Sequence, residues 1–95
     1  MRSWDIPAIN KNGVILIPSD YASKCIEKIY ESSYQLLGFD AFILLENGAI
    51  QPSMEFSADY SNGVPSIDEV HNLLINAPDE ITHYEFVFKL IHDCN

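Results

Sequence analysis

Along DYASKCIEKIYESSYQLLG, residues 20–38, Ala22, Cys25, Ile26, Ile29, Ser33, Leu36 and Leu37 recur at steps of three and four, while Lys24, Glu27, Lys28, Glu31 and Gln35 fill the other positions. That period predicts an amphipathic helix with one buried stripe. Pro18 stops the preceding segment, Ser19 or Asp20 is placed to cap the first turn, and Gly38 is placed as a left-handed C-terminal cap. Upstream, SWDIPAI and VILI flank Asn12 and Gly13, a pattern that fits one irregular strand or a loose hairpin.

Beyond Gly38 the period changes to two. In GFDAFILLENGAIQPSMEFS, Asn47 and Gly48 suit a two-residue type I′ turn, whose twist matches that of paired strands. That turn sets Glu46 opposite Ala49, Leu45 opposite Ile50, Ala41 opposite Met54, Asp40 opposite Glu55 and Phe39 opposite Phe56. Alternation then assigns Phe39, Ala41, Ile43, Leu45, Ile50, Met54 and Phe56 to the core face. Asp40, Phe42, Leu44, Glu46, Gln51, Ser53 and Glu55 fall on the other face. Pro52 has no N–H to give to a ladder, so its strand is an edge or is bulged there, and a bulge would change this register.

The polar loop SADYSNGVP leads to SIDEVHNLLINAP, where Ser66 and Glu69 have capping-box spacing and Ile67, Val70, Leu73 and Leu74 form a stripe. A second, shorter helix is expected, limited by Pro78. The last segment, ITHYEFVFKLI, alternates with apolar residues on both faces, as a central strand does. The element order is β(β)αββαβ, and the expected fold is one α+β domain over residues 1–95. Its antiparallel or mixed sheet would hold about 4–5 strands packed against two helices.

Composition adds few constraints. A chain of 95 residues buries only roughly 60–65% of its unfolded surface, enough for a single core, and five Phe, five Tyr and one Trp supply bulk for it. No apolar run approaches the roughly 18 residues that span a bilayer, and the first residues lack the apolar stretch of a signal peptide, so a cytoplasmic protein is expected. Cys25 and Cys94 form no CxxC pair; Cys25 falls on the helix stripe as a small hydrophobe, and no disulfide is expected.

His71, His83 and His92 lie 12 and 9 residues apart, without HExxH or any spacing that fixes a metal. DYSNG lacks the alternating acids and terminal Glu of a calcium loop. No catalytic residue, cofactor or metal is therefore assigned.

Charge changes the picture more. The formal net charge is −9, yet residues 1–37 carry four acids and four bases, so the whole excess lies from Gly38 onward, with ten acids against one lysine. Such a field repels nucleic acid and anionic membrane and accelerates encounter with a cationic protein. The same acidity also serves simple solubility.

The layout, with GFDAFILLENGAIQP and SADYS contributing most, resembles the small acidic immunity proteins of bacterial toxin systems, including contact-dependent growth inhibition and other polymorphic toxins. The resemblance implies a non-enzymatic inhibitor of a cognate basic toxin domain, a nuclease in many such systems. Those proteins are diverse and supply no residue pattern to transfer. From the residues themselves, the hairpin positions Asp40, Phe42, Leu44, Glu46 and Glu55 are the first candidates for partner contact, followed by Asp59, Asp79 and Glu80 in the acidic loops. Two other classes fit the same residues. One is a subunit that dimerises through a sheet edge; the other is a small hydrolase using His and carboxylates, which needs those groups to converge.

Overall fold

The computed structural model describes residues 5–11, 13–60 and 62–91. Strands β1 (Ile9–Lys11) and β2 (Val14–Pro18) form the loose hairpin. A 3-10 turn, Ser19–Tyr21, runs into helix α1 (Ala22–Glu31), then β3 (Tyr34–Leu44), β4 (Ile50–Asp59), helix α2 (Ile67–Ile75) and β5 (His83–Leu90). The five strands make one antiparallel sheet in the order β1-β2-β5-β3-β4, so the α+β layout read from the sequence is observed. As its pattern required, β5 is central, paired to β2 on one side and to β3 on the other.

The core lies between the helices and one face of the sheet. Ala22, Cys25, Ile26 and Ile29 from α1 and Val70 from α2 pack with Ile17, Phe39, Ala41, Tyr84 and Phe86 from the strands. Phe39 makes an edge-on contact with Tyr84, with centroids 5.7 Å apart, which fixes β3 against β5 by an aromatic pair. Burial pushes the Cys25 thiol up to about 11, leaving it an uncharged core side chain.

Several expectations are corrected. Helix α1 ends at Glu31, and residues 34–37 belong to β3, so Gly38 is not its cap. Tyr34, Leu36 and Leu37 fit either period. Pairing of Tyr34, Gln35 and Leu36 with Leu90, Lys89 and Phe88 decides for the strand, and Tyr34 stands edge-on to Phe88 at 5.1 Å. Neither Ser19 nor Asp20 caps a helix through its side chain. For α2 the expected cap is present, with Glu69 N–H donating to Ser66 Oγ at 3.2 Å, but Leu73 of its stripe is 51% exposed. Cys94 and His92 lie outside the described residues, as does Asn12 of the first turn.

The β3–β4 connection departs furthest. Asn47 is not among the described non-glycine residues with positive φ, which excludes a type I′ turn, while Gly48 has φ 87°. Gly48 N–H donates to Leu45 O at 2.9 Å and Leu45 N–H to Ala49 O at 2.8 Å, giving a three-residue loop. Leu44 therefore faces Ile50, one residue out of the expected register, which turns Ile50 to the other face of the sheet. Farther along, Ala41 pairs with Ser53 but Phe39 pairs with Ala58. Residues 54–57 thus bulge opposite Asp40 alone. Ser57 holds the bulge, its Oγ accepting from Ala41 N–H at 3.1 Å and donating to Ser53 O at 2.9 Å.

The bulge throws Met54 outward, 77% exposed, where the core had been expected, and returns Phe56 to pack on the core. Leu45, also expected inside, is 39% exposed in the turn. Gly38 permits the close approach of β4 after the bulge, because a Cβ there would sit 2.6 Å from Ala58 O. Gly38→Ala is expected to destabilise the protein by about 1–3 kcal/mol, since backbone rather than a flexible side chain must yield. An unchanged urea midpoint would show that the strands separate freely at this point.

Candidate functional site

Both helices lie on one face of the sheet, so alternation exposes the other. Phe39, Tyr84 and Phe86 point to the helices, and Asp40, Glu85 and Val87 point away from them. Toward one end of this outer face Leu16, Phe42 and His83 are buried, though none of them contributes to the main core cluster. Thr82 organises this end, receiving Leu44 N–H at 2.8 Å on Oγ1 and donating its own N–H to Phe42 O at 3.0 Å.

His83 Nδ1 lies 2.9 Å from Thr82 Oγ1, and burial lowers the ring's proton affinity. A base depressed in the folded state binds fewer protons there than in the unfolded chain, so its stabilising effect is full above the usual histidine value and is lost as pH falls below it. Urea stability should accordingly drop between about pH 7.5 and about pH 5.5. A His83 ring that titrates by NMR at or above the ordinary range would contradict this assignment.

The remaining outer face carries the acids. Asp40 was expected to face Glu55 across the hairpin. The bulge removes Glu55 from that ladder, and on its other side Asp40 faces Glu85 of β5. Directly opposed side chains in an antiparallel pair have Cβ atoms about 4.5–5.5 Å apart, close enough for two carboxylates to repel. Glu85 is half-buried, and its carboxyl is raised above the ordinary carboxylate value first by that burial and then by Asp40. Next to the pair, Val87 is 43% exposed opposite Gly38, and Lys89 lies opposite Gln35.

The other expected contact residues are spread out. Leu44 is 40% exposed at the end of β3, whereas Phe42 is 8% exposed and is no free anchor. Glu46 is exposed in the turn and Glu55 in the bulge; Asp59 closes β4 opposite Gly38. Asp79 and Glu80 are exposed in the α2–β5 connection, where Asp79 lines a cavity of about 310 Å³ with Asp20 and Tyr84. Of the expected acids, Asp40 and Asp59 share a concavity, a groove of about 450 Å³ that also includes Met54 and Val87. Glu85 was missed as a site residue, although the two-sided pattern of its strand placed it in the middle of the sheet.

His71 Nδ1 lies 3.2 Å from Ser23 Oγ and ties α2 to α1, on the opposite side of the sheet from His83. Among the described residues, no group of three or more His, Cys, Asp or Glu side chains could hold a metal ion. Among them, too, no helix is long and apolar enough to cross a membrane. No family model, curated protein or solved structure matches this chain.

Proposed function

We propose that the protein is a non-enzymatic, cytoplasmic immunity protein that neutralises a cognate basic toxin domain, most simply a nuclease, by docking through the outer face of β3 and β5. One observation carries the reading: Asp40 and Glu85 oppose each other on that face beside exposed Val87 and Met54. A like-charged cross-strand pair costs the isolated chain roughly 0.2–1 kcal/mol, and an incoming Lys or Arg reverses the sign of that interaction. Exposed apolar groups among the carboxylates provide the dehydrated contact that charge alone does not. The −9 net charge, all from Gly38 onward, supports rapid encounter with a cationic partner.

The edge-dimer alternative is less well supported at the β4 edge, which carries Pro52 and is broken by the 54–57 bulge. The test is co-expression with the basic domain encoded by a neighbouring reading frame. Growth should be rescued, and the two proteins should copurify in a defined ratio. A toxic domain left fully active, with no complex formed, would reject the reading.

A further inference from the structure

We infer that the groove between β3, the β4 bulge and β5 receives the side chain of an arginine or lysine from the partner, its aliphatic stem along the groove and its cation at the Asp40–Glu85 pair. This rests on the outer face being the docking surface for a basic protein. The groove is lined by Gly38, Asp40, Met54, Ala58, Asp59 and Val87, with a volume of about 450 Å³. Its geometry has local causes. Gly38 contributes no side chain and cannot do so, since Ala58 O occupies the space of a Cβ. The bulge opposite Asp40 carries Met54 out to 77% exposure, and the alternation of β5 brings Val87 to 43%.

The lining is apolar at Met54, Ala58 and Val87 and acidic at Asp40 of β3 and Asp59 of β4, and Glu85, just outside it, lies directly across the ladder from Asp40. Basic side chains have the matching construction. Their methylenes pack on apolar surface while the charged head reaches polar groups. An apolar side chain would leave the carboxylates without a partner, and an acidic one would be repelled. An unbranched Met at the rim can move its thioether to fit the stem.

Met54 also supplies the probe, because the chain has only two methionines and methyl-labelled methionine gives a sparse spectrum. Acetyl-Gly-Arg-Gly-amide is titrated into the labelled protein, and the Met54 signal is assigned by its loss in Met54→Leu. The expected result is a saturable Met54 shift, with amide shifts at Gly38, Asp40 and Val87. Asp40→Asn and Glu85→Gln, checked as folded by their amide spectra, should each weaken the response about two- to fivefold.

The same tripeptide with norleucine, which keeps the stem without the charge, and methylguanidinium, which keeps the charge without the stem, should both bind more weakly. An equal response to either, unchanged binding in both variants, or shifts confined to another face overturns the assignment. Rescue by co-expression without any Met54 response would overturn the groove while leaving the proposed function standing. A saturable Met54 response without a neutralised partner would support the groove and reject that function.

Discussion

Replacing Ile29 with aspartate is expected to unfold the protein. Ile29 is fully buried in α1 and packs in the cluster that joins α1 and α2 to β2, β3 and β5. A carboxylate there has neither water nor a cation, and protonating it to avoid the charge still leaves a polar group in an apolar site. Loss of the isoleucine packing adds to this, since truncating a buried Ile costs about 2–5 kcal/mol. Against the roughly 5–15 kcal/mol that holds a small domain together, the two effects should remove the folded state. Circular dichroism and thermal melting measure the outcome. A cooperative melt near that of the unmodified chain would mean that α1 does not supply the core.

The second large effect is expected on binding. Asp40→Lys combined with Glu85→Lys keeps a like-charged pair on the same two strand positions, so the free protein exchanges one mutual repulsion for another and should melt close to the unmodified chain. Toward a basic partner the change is a reversal, which replaces two attractions by two repulsions. Affinity should fall by about 30-fold or more, corresponding to at least about 2 kcal/mol for charges desolvated in an interface. Calorimetry on the purified pair measures this. Glu85→Gln alone should separate stability from binding. Glu85 is raised in the folded state, so its ionisation costs stability as pH rises through the range just above the ordinary carboxylate value. The glutamine variant should therefore melt slightly higher at neutral pH and bind more weakly.

The element order could be read because each pattern was local. A period near 3.6 over residues 22–29, capping-box spacing at Ser66 and Glu69, and two-sided apolarity over 83–90 each needed only neighbouring residues. The acidic pair could not be read in this way. Asp40 has two strand neighbours, and the hairpin suggested only the one in sequence. Its partner Glu85 comes from β5, 45 positions away, in a register that shifts between Leu36 and Gly38, while the bulge at residues 54–57 takes Glu55 out of the other ladder. Bulges are built from side-chain bonds such as Ser57 to Ala41 and Ser53, which leave little mark on periodicity. Tyr34 to Leu36 show the same limit, since an ambiguous local pattern became a strand through pairing with residues more than 50 positions away. Of the expected contact residues, Leu44, Glu46, Glu55, Asp59, Asp79 and Glu80 are exposed and Asp40 is half-buried beside the groove, while Phe42, on the outer face by alternation, is buried at 8% exposure.

The association rate of the protein with its basic partner domain, followed by stopped-flow mixing across increasing salt, tests the docking face most directly. The expected rate is fast and falls steeply with ionic strength, and the Asp40→Lys, Glu85→Lys protein should associate at least about tenfold more slowly at low salt. A rate that is flat with salt and equal in the two proteins would contradict it.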